Sequence, residues 1–399
     1  MQLLTKPLLG RHAQAPFLLL VAMTACGTLG MHIIIPALPD TARALNISIS
    51  TVQLTITLYL IGLAIGQLVY GPVSDRLGRR PVLLAGLSLF TAASVATAVA
   101  PNATVLIGAR VLQSLGGCAG LVLGRAAVRD GATAETAAGR LALLTLVMSM
   151  VPAVAPAIGG YVTAYVGWRA SYVLLAAIGG AVLAAALLIL PETHRPQGGS
   201  ARRMLAGYGR LLRSRAFCGY AIGGACSTTA FYGFMSASPF IFENYLHQST
   251  QRVGLYYLVL MLGVAGGSLG ANRLAGRLPV KTALRIANVT AIVGAALFAI
   301  ADITDRLTVL TVVGPVTLFM FGAGMASPFA LVGSVSVNPQ AIGAASGMYG
   351  FVQMAYGMLC TIVVETWRPG AVYPVAVVLL GSALMGQAAV SLAVRPAGR

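Results

Sequence analysis

Apolar stretches of about 20 residues follow one another from residue 16 to residue 394, separated by short polar breaks. A helix of about 20 residues crosses the roughly 30 Å of hydrocarbon in a bilayer. Because the hydrocarbon offers the backbone no water, each stretch must satisfy its own peptide groups as a helix. The pattern predicts twelve membrane-spanning helices, at residues 16–36, 50–70, 82–100, 104–124, 141–163, 169–190, 217–238, 253–274, 281–301, 307–333, 342–365 and 371–394.

The predicted spans form two groups of six. A break at Pro191–Ala216, rich in Arg, Gly and Pro, separates the groups near the middle of the chain. The sequence therefore predicts an all-α membrane protein with an N-terminal six-helix bundle (residues 1–191) and a C-terminal six-helix bundle (217–399). A basic linker on the cytoplasmic side (192–216) is expected to join them.

The composition excludes a soluble protein, since 58% of the residues are hydrophobic and only 9% are charged. A formal net charge of +17 is typical of nucleic-acid-binding proteins, but the basic residues follow a different pattern here. With a cytoplasmic amino terminus, 20 of the 26 Lys and Arg residues fall in cytoplasmic segments, five in external segments, and Arg110 within a span. This positive-inside bias predicts two cytoplasmic termini, an inner (cytoplasmic) membrane location, and lipid instead of nucleic acid as a partner.

The sequence contains no pattern typical of an enzyme or of a bound cofactor. The five cysteines lie in apolar stretches at spacings that match neither metal nor redox sites. Neither a Walker-type phosphate loop nor a nucleophile–base arrangement is evident. We therefore expect a non-enzymatic monomer without metal or cofactor, driven by an ion gradient, with a proton gradient as the energy source.

Arg110 is the most informative single residue because it lies within an apolar span. An arginine at the centre of a membrane helix costs at least about 2.5–3.5 kcal/mol, so it must face polar partners or water. Snorkelling towards the membrane surface is the competing interpretation, which the depth of the residue disfavours. The segment 106–117, which includes Arg110 and Gln113, resembles the fourth-helix arginine motif of proton-coupled drug exporters. That resemblance implies a role in ion coupling or in the substrate cavity.

The loop between the second and third spans resembles the signature loop of the major facilitator superfamily. The matching residues are Gly71, Asp75, Arg76, Gly78, Arg79 and Arg80. An aspartate can cap a helix amino terminus, and arginines can pair with carboxylates, so the loop predicts a cytoplasmic gate of charge pairs. We expect Asp75 to cap the eleventh span near Ile342, and Asp130 to supply a carboxylate. A solvated positive-inside loop would explain the arginines but not Asp75.

The fifth span contains Pro156, Gly159 and Gly160, which resemble the antiporter motif of exporters in this superfamily. Proline removes a backbone donor and can kink a helix, while glycine permits close helix contacts. Such residues also occur together in many membrane helices without this role. In combination with the other two motifs, they favour efflux.

A longer run, residues 116–130, resembles the bicyclomycin-resistance subfamily of drug:proton antiporters. The same resemblance extends to four short segments, Pro36–Pro39, Gly167–Arg169, Pro191–Thr193 and Ser238–Phe240. It covers nearly the whole chain and is strongest in the first half. The resemblance implies the major facilitator fold and proton-driven efflux of small amphipathic drugs or toxic compounds.

One departure from that subfamily concerns the first span, where His32 stands in place of the usual aspartate. Imidazole changes charge near neutral pH, so His32 could bind the coupling proton. Burial near Arg110 would disfavour the imidazolium, which leaves a neutral hydrogen-bonding role or simple packing as alternatives. None of the nine acidic residues is expected near the middle of a span, and Glu365 is expected near the external side.

Polar-aromatic and soft side chains inside the spans are candidates for a substrate cavity. They are Tyr59, Tyr232, Met235, Tyr257, Tyr349, Gln353 and Met354. Two other functions stay open from the sequence. The chain could export an endogenous metabolite such as an amino-acid derivative, or it could be a non-transporting membrane sensor of the same fold.

Overall fold

The computed structural model describes residues 15–130, 134–193, 201–337, 342–367, 369 and 371–393. In this part of the chain the regular structure is helical throughout. The helices are α1 (Phe17–His32), α2 (Leu38–Leu45), α3 (Ile49–Leu77), α4 (Arg79–Ala98), α5 (Ala103–Asp130), α6 (Ala134–Val166), α7 (Trp168–Ile189), α8 (Ala201–Arg213), α9 (Arg215–Thr229), α10 (Phe231–Phe240), α11 (Thr250–Leu274), α12 (Val280–Ile303), α13 (Val309–Ser336), α14 (Ile342–Trp367) and α15 (Val372–Ala393).

Eleven helical stretches in the described ranges are long and apolar enough to cross a membrane. The seventh predicted span is divided into α9 and α10, which continue into a π-helical segment at Ile241–Tyr245. Most predicted spans match these helices closely. The first predicted span, 16–36, is too short, because the helical path continues beyond residue 36 as far as Leu45.

Pro36 explains both the prediction and the error in the first span. Its ring nitrogen has no hydrogen to give to the carbonyl of His32, so α1 ends at His32. The chain then makes a 3₁₀ turn at Ile35–Ala37 and resumes as α2 without leaving the apolar interior. The helical path ends only at Asn46, whose φ of 52° is left-handed.

The helices pack in two groups that follow the two halves of the chain. In the first half, α5 packs against α1, α3 and α4, and α7 packs against α4. In the second half, α13 packs against α9, α11 and α12, and α15 packs against α9 and α12. The most extensive contacts between the halves join α6 to α11 and α3 to α14.

The helix α8 lies in the predicted linker, of which residues 194–200 fall outside the described part. Tyr208 of α8 is buried, and its hydroxyl donates to the carbonyl of Leu68 in α3 at 3.3 Å. Burial and the nearby Asp75 carboxylate raise the pKa of the Tyr208 phenol. We call the end of the molecule that holds α8 and the α3–α4 junction the basic end, and the end that holds the α2–α3 junction the far end.

Candidate functional site

Arg110 is fully buried inside the first half of the molecule. Its Nη1 donates to the carbonyl of Gly30 at 2.7 Å and to Oε1 of Gln113 at 2.5 Å. The guanidinium also lies 4.2 Å from the ring centroid of Tyr59, within the range of a cation–π interaction. Its Nε and Nη2 have no hydrogen-bond partner among the described protein atoms. Buried donors without an acceptor are costly unless another group binds them.

Residues around Arg110 tie several helices to it. The hydroxyl of Tyr59 donates to the carbonyl of Gly27 at 2.8 Å, and Nε2 of Gln113 donates to Oγ of Ser94 at 2.7 Å. The ring of Tyr172 lies 5.9 Å from the guanidinium. Arg110 is thus held among α1, α3, α4 and α7, and its side chain does not extend to the surface. Its role in coupling stays a prediction.

His32 lies at the end of α1, where the first half approaches the second. Its side chain is buried, and Nδ1 donates to the carbonyl of Thr28 at 2.8 Å. When the ring is neutral, Nε2 remains as an acceptor. The imidazole centroid is 6.4 Å from that of Tyr232 in α10. This arrangement allows a neutral hydrogen-bonding role, and the choice among the three roles stays open.

The seven candidate cavity residues divide by exposure. Tyr232, Gln353 and Met354 are half-buried, whereas the other four are buried in helix contacts. Tyr257 has a structural role in its buried position. Pro239 lacks the backbone hydrogen that would bond to the carbonyl of Met235, and the Tyr257 hydroxyl lies 3.4 Å from that carbonyl.

The signature loop forms the predicted charge pairs around Arg79. Its Nη1 lies 2.6 Å from the Asp75 carboxylate, and its Nε donates to the Asp130 carboxylate at 3.0 Å. Ser74 accepts a further hydrogen bond from the same guanidinium. The predicted capping of α14 by Asp75 concerns a helix start that adjoins residues 338–341, which lie outside the described ranges.

The sequence prediction missed Glu192 as part of this network. Its carboxylate accepts from the backbone nitrogens of Arg79 at 2.9 Å and Arg80 at 3.1 Å, so it caps the amino terminus of α4. Gly78 makes room for this cap, since its φ is 95° and an added Cβ would lie 2.5 Å from the carboxylate. A Cβ at Gly71 would meet nothing within 4 Å, so packing does not explain that glycine.

The antiporter motif lies where α6 meets two neighbours near the far end. A Cβ at Gly159 would lie 1.8 Å from the carbonyl oxygen of Ile33, next to His32. A Cβ at Gly160 would lie 2.8 Å from the Thr250 carbonyl of α11. α6 is assigned as one continuous helix through Pro156. The motif therefore brings α6 close both to the end of α1 and to α11 of the second half.

Several polar contacts between the halves were not predicted, and two of them involve carboxylates of the second half. At the far end Arg43 of the first half pairs with Glu243 of the second, and with Asp40 at 2.6 Å. Deeper in the interface, Oγ1 of Thr57 in α3 donates to the Glu365 carboxylate in α14 at 2.6 Å. Glu365 is only 3% exposed, although it lies in the last turn of α14. Its position near a span end was predicted, but its burial was not.

Comparisons with known proteins bear on the family of the chain. A family model described as Major Facilitator Superfamily matches residues 20–361. Multidrug resistance protein D of Escherichia coli (strain K12) is 32% identical over 349 residues, 86% of this chain and 87% of that protein. A chloramphenicol resistance protein of Pseudomonas aeruginosa is 32% identical over 387 residues, 94% of this chain and 90% of that protein.

A solved structure shows which known fold the chain resembles. The crystal structure of a D-xylose-proton symporter superposes with a TM-score of 0.72, covering 93% of this chain and 96% of that chain. The two sequences are 16% identical, so the likeness concerns the fold alone.

Proposed function

We propose that this chain, which belongs to the Major Facilitator Superfamily, exports small amphipathic drugs or toxic compounds in exchange for protons. The observation that carries the proposal is the pair of nearly full-length matches to proteins named for drug resistance. The antiporter motif and its tight contacts near His32 support the direction of transport.

The contacts between the halves support an alternating-access cycle. α3 and α14 run in opposite directions along each other, because Thr57 meets Glu365, while Gln67 meets Gly350 about three turns further along α3 and about four turns earlier in α14. α6 and α11 form the second long contact. Two halves joined mainly by such paired helices can rock as units around a central site.

The distribution of basic residues supports an orientation for this cycle. We place the chain in the inner membrane with both termini and the basic end in the cytoplasm. The far end, with Arg43 and Glu243, then faces outward. In the structure the halves are joined by side-chain contacts at that outer end.

Arg110 and His32 are the residues we assign to the transport path. Arg110 offers two unpaired donors in a buried position, which suits a polar group of the substrate. Neutral His32 offers Nε2 as an acceptor close to Tyr232 of the second half. Aromatic and soft side chains at Tyr232 and Met354 supply apolar contact.

Transport by the purified chain in proteoliposomes tests this function. Radiolabelled chloramphenicol is the first probe, because one relative is named for resistance to it, and a panel of amphipathic cations follows. We expect accumulation in vesicles with an acidic interior, and its loss on addition of a protonophore. Flux equal to that of empty vesicles for every probe would contradict the proposal.

A further inference from the structure

The interface between α3 and α14 contains a buried carboxylate that the transport path described above does not use. Glu365 is 3% exposed, whereas the other acidic side chains described in the structure are exposed or half-buried. It lies near the far end, since α14 ends two residues later at Trp367 and Glu365 meets Thr57 in the first half of α3. A short opening of the two helices at that end would bring it to water.

Among the described residues, the hydrogen-bond partner of Glu365 is the hydroxyl group of Thr57. Thr57 donates to its Oε1 at 2.6 Å, and Oγ1 of Thr57 also lies 2.9 Å from Oγ1 of Thr361. Within the described ranges, no Arg, Lys or His lies within ion-pair distance of the carboxylate. A single hydroxyl donor compensates poorly for burying an ionised carboxylate, so the neutral form fits the closed interface better.

The groups that face this region from the neighbouring helices are uncharged. On α3, Nε2 of Gln53 donates to the carbonyl of Ser236 in α10 at 2.9 Å. On α10, Tyr232 lies against Gly357, about two turns from Glu365. On α14 itself Cys360 is a buried free thiol, and from α15 Ser382 accepts from Tyr356. The nearest described ion pair at this end joins Arg43 to Glu243 and Asp40, and it is exposed.

We propose that Glu365 binds the proton that is exchanged for substrate. This inference rests on the proposed function, and it assigns to α14 the carboxylate that is absent from the first span. When the far end opens, external water protonates Oε of Glu365, and the neutral carboxyl is buried as α3 and α14 close. One proton moves from external water to the carboxylate, and its release to the cytoplasm requires a second conformation in which water from the basic end reaches Glu365.

The helix α3 connects this proton site to the transport path. Thr57 faces Glu365 across the interface, and Tyr59, two residues along, lies under the Arg110 guanidinium. The hydroxyl that binds Glu365 and the ring beneath Arg110 therefore lie two residues apart on α3. Because α3 and α5 belong to the same half, the Arg110 site moves together with Thr57 when the far end opens and the Thr57–Glu365 bond breaks.

The test compares Glu365→Gln with wild type in proteoliposomes. A gradient of about one pH unit drives up to about tenfold accumulation per exchanged proton. We expect wild type to accumulate chloramphenicol, and Glu365→Gln to lose accumulation while it still exchanges labelled for unlabelled chloramphenicol at equal pH. Asp305→Asn is the matched control, because Asp305 is exposed and its φ of 52° suits asparagine. This control is expected to keep accumulation.

The outcomes separate this inference from the proposed function. Accumulation retained by Glu365→Gln would overturn the inference and leave proton antiport intact. Loss of both accumulation and exchange would also overturn it, because the residue would then be needed for structure or binding. If the wild-type protein transports no probe, the proposed function is contradicted, and the proton site at Glu365 is contradicted with it. Glu365→Asp, which keeps the carboxylate, is expected to retain gradient-driven accumulation.

Discussion

Arg110 combines full burial with a set of neutral partners. A carbonyl, an amide oxygen and an aromatic face hold the guanidinium, and no carboxylate lies within ion-pair distance of it in the described part of the chain. A buried cation with neutral partners is costly, so its retention favours a functional role. Its planar fork and its stacking on Tyr59 are properties that lysine lacks.

The first residue-scale prediction is that Arg110→Lys lowers the initial rate of transport about tenfold or more, equal to about 1.4 kcal/mol in the barrier to transport. The charge remains, but the bond to Gly30 and the stacking geometry are lost. Initial rates in proteoliposomes measure this effect. Arg169→Lys is the control, because Arg169 also stacks on a ring, that of Trp168, at 4.2 Å. Equal losses in both variants would contradict a specific role for Arg110.

The second residue-scale prediction concerns His32. If it binds substrate as a neutral ring, His32→Ala raises KM about tenfold, because one buried hydrogen bond to the substrate is lost. Gradient-driven accumulation is expected to persist, since the coupling proton is assigned to Glu365. Concentration series at two values of the imposed pH gradient measure both quantities. Loss of the gradient dependence alone would return the coupling role to His32.

At the scale of single elements, close contact between the backbones of two helices decides which helices can pack together. Gly159 of α6 lies against the Ile33 carbonyl with no room for a side chain. The start of α4 depends on a partner more than 100 residues away in the chain, since Glu192 caps it through two backbone nitrogens. Both features lie in motifs that the sequence resemblance had singled out, and both have a direct structural reason.

We expect Gly159→Ala to destabilise the fold by about 1–3 kcal/mol, because the new methyl group overlaps the Ile33 carbonyl. Gly108→Ala is the matched control in another membrane helix, where a Cβ meets nothing within 4 Å. The control is expected to be neutral or to stabilise by up to about 1 kcal/mol. Thermal unfolding in detergent compares the two. A Gly159→Ala protein as stable as the control would contradict the contact.

We also expect Glu192→Ala to lower stability by about 1 kcal/mol, because the first two backbone donors of α4 lose their acceptor. Glu192→Gln keeps an oxygen acceptor and is expected to lose less. The same unfolding measurement orders the three proteins. An alanine variant as stable as the glutamine variant would mean that the cap contributes nothing measurable.

At the scale of the whole molecule, the two halves are joined by a small set of polar contacts within long helix pairs. Thr57 and Thr361 face each other across the α3–α14 interface with 2.9 Å between their hydroxyl oxygens. If the halves rock, this pair must separate once in every cycle. A covalent bond between them would hold the far end closed.

We therefore expect the double variant Thr57→Cys/Thr361→Cys to lose transport on oxidation and to recover it on reduction. Each single variant serves as a control under the same treatment, since the five native cysteines remain. Initial transport rates before and after reduction are compared within each protein. Undiminished transport by the fully cross-linked double variant would rule out separation of α3 from α14 during the cycle.

The sequence by itself determined the membrane class, the positions of most helices and the major facilitator family, because hydrocarbon imposes helices of a set length and the signature loop is local. It also predicted the carboxylate Asp130 for the loop arginines, since opposite charges near one membrane face tend to pair. The membrane class, the helix positions and the signature loop depend on residues within one span or one loop.

Tertiary structure alone decided which side chains are buried and which distant helices they connect. Glu365 is near a helix end in sequence, yet it is buried between α3 and α14 and accepts a hydrogen bond from Thr57 of α3. Glu192 reaches α4 only because α4 and α7 pack together. Tyr59 and Tyr257, both candidate cavity residues by type, are buried in helix contacts. Burial of a side chain depends on the helices packed around it, and the order of residues along one helix does not contain that information.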